Sequence, residues 1–184
     1  PEAELADTVN TQPAIFTHSI AAFAMAEMSG ELAAPAFMAG HSLGEFSALC
    51  AAGALAFEDG VRLVRTRGEL MKAAGEKAPG AMAAVLNVET AVIEEVCAEV
   101  SARISPGVVP ANDNCPGQLV ISGGREAVAA AVAALKARGA RRVVPLNVSI
   151  ASHSPLMAEM QGAFARRVAE TPITPARVPV IANT

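Results

Sequence analysis

Tryptophan and tyrosine are absent from this chain of 184 residues, and phenylalanine, six in number, supplies the whole 3% of aromatic side chains. The interior must therefore be built from aliphatic residues and methionine. Cysteine is scarce too. Cys50, Cys97 and Cys115 are an odd set at wide spacing without a C-x-x-C pair, which excludes a metal-ligand pattern and fits a reducing, cytoplasmic setting. No segment combines a basic start with an apolar centre as a signal peptide does, and the apolar stretch near 127–135 is too short to span a bilayer. An excess of positive charge is also missing. Fourteen Lys and Arg against 18 Asp and Glu leave a net charge of −4, so neither nucleic acid nor an anionic membrane is an expected partner. What remains is apolar: 52% hydrophobic residues suffice for one substantial core, with room for a small inserted subdomain.

The most informative stretch is Ala39-Gly40-His41-Ser42-Leu43-Gly44-Glu45. Its centre reads G-x-S-x-G, the pattern of a nucleophile elbow, in which a serine occupies a strained turn between a buried strand and the following helix. Gly40 and Gly44 are expected to let strand and helix approach closely. The flanks agree, with an apolar run over 36–39 before the turn and a helix-favouring segment over 45–52 closed by Gly53. The alternative is a tight turn whose serine only caps the helix.

Around this stretch the pattern predicts a helix opening at Thr11-Gln12-Pro13 and closing at Gly30, and another running from Phe57 to about Ala74. At about 100° per residue, Arg62, Arg65 and Glu69 share one face of the second helix, while Leu63, Leu70, Met71 and Ala74 share the other with Arg67. A guanidinium on an apolar stripe needs a buried carboxylate partner or a pocket that receives an anion. Both readings stand at this level.

From Gly80 the texture changes. Strands over 81–86, 108–112, 119–122 and 142–148, with helices over 89–103 and 126–138, give the order βαββαβ, a ferredoxin-like split unit. The polar Asn112–Gly117 connection, containing Asn114, reads as a hairpin-like turn. Ser154 and Pro155 then read as N-cap and first residue of a helix striped by Met157, Met160, Phe164 and Val168. His153 stands just before that helix. A nearby helix N-terminus favours neutral imidazole, the form of a general base, and the alternative is a histidine that packs or caps in a loop. The chain closes with an apparent strand at Val180-Ile181-Ala182-Asn183.

Thr11-Gln12-Pro13-Ala14, the run from Gly40 to Leu49, Arg67-Gly68, Asn114-Cys115-Pro116-Gly117-Gln118 and Ser152-His153-Ser154-Pro155-Leu156-Met157 together resemble the malonyl-CoA:acyl carrier protein transacylase family. The acyltransferase domains of polyketide and fatty acid synthases are similar. The resemblance implies an α/β fold in which residues 1–79 and 149–184 form an α/β-hydrolase-like core and 80–148 a ferredoxin-like insertion. It implies Ser42 as nucleophile and His153 as its base, in a dyad whose histidine is oriented by backbone carbonyls. Consistent with a dyad, the only aspartates between them are Asp59 and Asp113, neither an obvious third member. Arg67 would bind the free carboxylate of malonyl, the Leu43 N–H would serve the oxyanion hole, and His41, Gln12 and Asn114 would line the site.

The implied reaction is ping-pong transfer from malonyl-CoA to the phosphopantetheine thiol of acyl carrier protein, by a monomer that needs no metal or redox cofactor, the CoA thioester being substrate. The family's amino-terminal strand, with the loop that completes the oxyanion hole, and its carboxy-terminal part have no counterpart here, so a truncated and weakly active chain is expected. Ile150-Ala151-Ser152-His153 resembles in part a motif of methylmalonyl-selective domains, although a serine before the histidine also suits malonyl enzymes. A serine thioesterase, or an inactive fragment that binds carrier protein, are the competing functions. Arg67 discriminates, since a generic esterase has no need of it.

Overall fold

The computed structural model describes residues 1–30, 33–148 and 150–183. In chain order the elements are α1 (Glu2–Ala6), α2 (Thr8–Ser29), β1 (Met38–Ala39), α3 (Gly44–Ala51), α4 (Phe57–Lys77), β2 (Gly80–Leu86), α5 (Thr90–Ser101), β3 (Val108–Cys115), β4 (Gln118–Gly124), α6 (Arg125–Ala137), β5 (Arg142–Pro145), a 3-10 turn (Pro155–Met157), α7 (Ala158–Ala169) and β6 (Val180–Ile181). They fall into two compact units, Pro1–Leu70 with Ala163–Thr184, and Met71–Gly162. These divisions lie within α4 and α7 rather than at the 79/80 and 148/149 boundaries expected from the sequence.

In the first unit, α2 begins at Thr8, earlier than the expected start at Pro13. The reason is Asp7, whose carboxylate accepts from Val9 N–H at 3.0 Å and caps the helix. Thr11 Oγ1 adds a bond to Asp7 O at 2.9 Å. Pro13 therefore lies inside the helix, where it removes one backbone donor without ending it. Gly30, at φ +71°, closes α2 as expected. Phe16, Leu43 and Val64 form the unit's buried cluster, flanked by Ile20, Phe46, Cys50 and Val61. β1 and β6 pair in parallel, Met38 with Val180 and Ala39 with Ile181.

The second unit is a four-stranded antiparallel sheet in the order β3-β4-β2-β5. Along β2, Ala81, Ala83 and Val85 recur at period two and pack with Leu119 and Ile121 of β4 against one face of helices α5 and α6. Those helices contribute Ile93, Val96, Cys97 and Val100, and Ala127, Val128, Ala131 and Leu135. Arg138 ties them at the surface, donating to Glu95 at 2.8 Å and Glu99 at 2.6 Å.

β5 ends at Pro145 rather than Val148. Leu146 N–H still bonds Met82 O, but Val148 N–H turns back to Leu146 O, which bends the chain off the sheet. β3 runs on to Cys115, so the hairpin closes with two residues, Pro116 and Gly117, the latter at φ +81°. Asn114 accordingly lies in the strand and not in the turn.

Candidate functional site: a serine elbow with an arginine on its hydroxyl

β1 delivers the chain into the turn Gly40–Leu43, and α3 leaves from it. Ser42 adopts φ +52°, a left-handed conformation that non-glycine residues seldom occupy and that functional serines occupy at such turns. The two glycines act differently. A Cβ on Gly40 would stand 1.9 Å from Gly44 O, so the strand can meet the helix only with glycine there. A Cβ on Gly44 would meet nothing within 4 Å; contrary to the expectation from the motif, Gly44 contributes only its backbone to the close approach and has no steric role of its own.

The amides of the turn are mostly committed. Gly44 N–H donates to His41 O at 2.8 Å and Glu45 N–H to Ser42 O at 3.2 Å. Ser42 N–H donates to Asn183 Oδ1 at 2.5 Å. The Leu43 N–H, directly after the serine and at the start of α3, has none of these acceptors, and its own side chain is buried in the core cluster. An amide so placed is where an elbow stabilises a tetrahedral oxyanion.

Arg67 reaches this turn from α4. Its Nη2 donates to Ser42 Oγ at 2.8 Å and its Nη1 to Gln12 Oε1 at 2.6 Å. Gln12 is buried in turn and donates through Nε2 to Thr8 Oγ1 at 2.9 Å. The approach of the two helices depends on Gly68, because a Cβ there would lie 2.8 Å from Thr8 O and 2.9 Å from Val9 Cα. Burial pushes the Arg67 guanidinium below its ordinary value, yet an arginine keeps its charge at neutral pH. Among the described residues, the guanidinium of Arg67 rests on two neutral oxygens, those of Gln12 and Ser42. A cation held by neutral acceptors beside a serine is suited to an incoming anion.

Ser42, Leu43, Arg67 and Gln12 are thus assembled within the first unit, with His41 exposed at the turn itself. His153 and Asn114 belong to the second unit. His153 is exposed and also left-handed, at φ +58°. Ser154 follows it as the cap of the 3-10 turn, accepting from Leu156 N–H at 3.3 Å and donating to Ala151 O at 2.7 Å. The expected helix therefore starts with one tight turn before α7. Asn114 is the extra residue of a β-bulge, lying between the pairs Asp113 with Leu119 and Cys115 with Gln118. Its Nδ2 donates to Gln118 Oε1 at 3.2 Å.

Two residues of the elbow escaped the sequence reading. Asn183 contacts the turn through both ends of its amide, and Glu45 accepts from Asn183 N–H at 3.3 Å. The available signal was a polar residue closing an otherwise apolar strand, which is too common to single out.

All 184 residues, 1–184, match the sequence model of the acyl transferase domain family. The chain is 45% identical over 183 residues to the malonyl CoA-acyl carrier protein transacylase of Escherichia coli strain K12, covering 100% of this chain and 58% of that protein. Its fold superposes with a TM-score of 0.93 on the crystal structure of malonyl-CoA:acyl carrier protein transacylase from Xanthomonas oryzae pv. oryzae, at 44% identity, covering 100% of this chain and 57% of that one. A type II polyketide acyl-carrier protein in complex with its malonyl-transacylase aligns with a TM-score of 0.94 at 41% identity, covering 100% and 59%. The chain thus spans somewhat more than half the length of the relatives it matches. A family match that runs through every residue, together with a fold that superposes on transacylase structures at these identities, makes this chain a member of the acyl transferase domain family.

Proposed function

We propose that the protein carrying this chain transfers a malonyl group from malonyl-CoA to the phosphopantetheine thiol of an acyl carrier protein. The observation that carries the reading is the Arg67 guanidinium on Ser42 Oγ at 2.8 Å. An acyl group whose carbonyl sits at Ser42 brings a carboxylate two carbons away to the arginine, and a bidentate charge-assisted pair replaces the resting bonds to Ser42 and Gln12. The likeness to malonyl CoA-acyl carrier protein transacylases, one of them solved in complex with an acyl-carrier protein, supports the donor and acceptor.

In the first half-reaction Ser42 Oγ attacks the thioester carbonyl while His153 takes its proton. The Leu43 N–H bonds the oxyanion, the C–S bond breaks, and CoA leaves as a thiol with the proton from His153. The carrier thiol then gives its proton to His153 and attacks the malonyl-serine, and Ser42 leaves with that proton restored. Gln12 holds the arginine until the carboxylate arrives, and His41 and Asn114 line the acyl site. No metal or redox cofactor enters these steps, since the thioester is already activated.

The α/β fold is proposed in finer detail as an α/β-hydrolase-like core, 1–79 and 149–184, with a ferredoxin-like insertion, 80–148. The parallel β1–β6 pair and the antiparallel order β3-β4-β2-β5 support the two fold types. Among the described residues no helix is long and apolar enough to cross a membrane. A cytoplasmic monomer that acts on small thioesters and a carrier protein, without nucleic acid or membrane as partner, completes the proposal.

The test is intact mass after brief incubation with malonyl-CoA or acetyl-CoA. A malonyl adduct that disappears in Ser42→Ala is expected. In Arg67→Ala the malonyl rate should fall about 100-fold, since two hydrogen bonds to a charged group contribute about 3 kcal/mol together, while the acetyl rate is spared. Equal losses for both donors would sink the carboxylate role and favour a generic hydrolase.

A further inference from the structure

We infer that Asn183 is a positioning residue that fixes the nucleophile elbow, acting through the backbone of Ser42. β1 and β6 run parallel in register, Ala39 beside Ile181, so both chains leave the sheet at the same level. One enters the elbow at Gly40. The other runs on through Ala182 to Asn183, alongside it.

There the Asn183 amide lies across the turn, with Oδ1 accepting from Ser42 N–H at 2.5 Å and Nδ2 donating to Gly40 O at 2.7 Å. A donor and an acceptor on one planar group reproduce the pairing that a further peptide unit of β6 would offer, so the side chain extends the ladder past the last paired residue. The backbone of Asn183 is itself tied down, its N–H donating to Glu45 Oε2 at 3.3 Å on α3.

The bond matters because Ser42 sits at φ +52°, a conformation that persists only when its surroundings over-determine it. Fixing Ser42 N–H and Gly40 O on either side of His41 fixes the plane of the peptide that enters Ser42. That plane sets both the direction of Oγ and the aim of the Leu43 N–H, the two groups that must converge on one carbonyl. Both of these bonds from the Asn183 amide go to backbone atoms, so its effect on the hydroxyl passes through the main chain. Only asparagine supplies donor and acceptor at this length: aspartate keeps the acceptor but sets an anionic oxygen against Gly40 O, and alanine removes both.

The inference rests on Ser42 being the nucleophile proposed above, and its test does not require malonyl as substrate. Intact-mass kinetics would follow labelling of Ser42 by a fluorophosphonate, and separately acylation by malonyl-CoA over a concentration series, in wild type, Asn183→Ala and Asn183→Asp, with thermal midpoints measured alongside. The expected result is a fall of about tenfold or more in both the fluorophosphonate rate and the maximal acylation rate, with half-saturation by malonyl-CoA unchanged. A residue that merely stabilised the fold would move the midpoint and leave the rates of the folded fraction alone. Labelling within about twofold of wild type in a folded variant overturns the inference; if Asn183→Ala does not fold, the isosteric Asn183→Asp decides on the same criterion. A wild type that labels with fluorophosphonate but takes no malonyl overturns the substrate reading, and the ratio of labelling rates still decides the role of Asn183.

Discussion

The two glycines of the elbow look equivalent in the sequence, and their substitution by alanine is expected to separate them. In Gly40→Ala the new methyl would lie 1.9 Å from Gly44 O and 2.0 Å from Gly44 C, where real Cβ contacts essentially never fall below 3.0 Å. The obstruction is backbone, so no rotamer change relieves it. Strand and helix must separate by the difference between 1.9 and 3.0 Å, and that displacement falls on Ser42. Overpacking of this kind typically costs about 1–3 kcal/mol, and a misplacement of about 1 Å at a reacting centre costs on the order of 100-fold in rate.

Gly44→Ala, by contrast, meets nothing within 4 Å and sits at the first residue of α3. Alanine gains roughly 0.5–1 kcal/mol over glycine in a helix interior, and part of that gain is expected here. Fluorophosphonate labelling of Ser42, read by intact mass beside a thermal melt, would compare the two variants directly. Gly40→Ala should label about 100-fold more slowly and melt lower, whereas Gly44→Ala should label at nearly the wild-type rate. Normal labelling by Gly40→Ala, or an equal loss in both, would refute the view that Gly40 alone sets the strand-to-helix approach.

Other expectations come from the second unit. Ser122 Oγ is buried with no hydrogen-bond partner among the described residues, so Ser122→Ala should stabilise the protein or leave it unchanged, and a calorimetric midpoint lowered by more than about 4 °C, or roughly 1 kcal/mol, would contradict that. Burial, with a smaller push from Glu94, raises the Cys97 thiol from 9.0 to about 11. At about pH 8 only about one Cys97 thiol in a thousand is ionised, and an alkylating reagent should modify exposed Cys115 well before Cys97; simultaneous modification would show that the site is open. Because the folded value lies above the unfolded one, the contribution of Cys97 to stability is complete below pH 9 and is lost as pH rises through about 11. Denaturant midpoints followed over that window should fall less in Cys97→Ala than in wild type.

The sequence by itself determined the elements whose signals are local. The G-x-S-x-G turn, the apolar stripe of α4 with Arg67 on it, the short apolar runs of β2 and β4, and the closing glycine at Gly30 all depend on neighbours within one or two turns of chain, and each was legible. The ordered motifs from Gln12 to Met157 carried the family. Where the reading slipped, the deciding partner was also close but competed with a stronger-looking signal. Asp7 caps α2 ahead of Pro13, and the Pro116-Gly117 turn leaves Asn114 in a bulged strand.

Tertiary structure alone decided what touches what across long sequence separations. That Arg67 rests on Ser42 and Gln12, that Gly40 and not Gly44 meets a backbone oxygen, and that Asn183 reaches the elbow from β6 are facts of through-space geometry. Periodicity fixes the face on which a side chain stands, but the atom it meets depends on how helices and strands pack, and no local pattern encodes that distance.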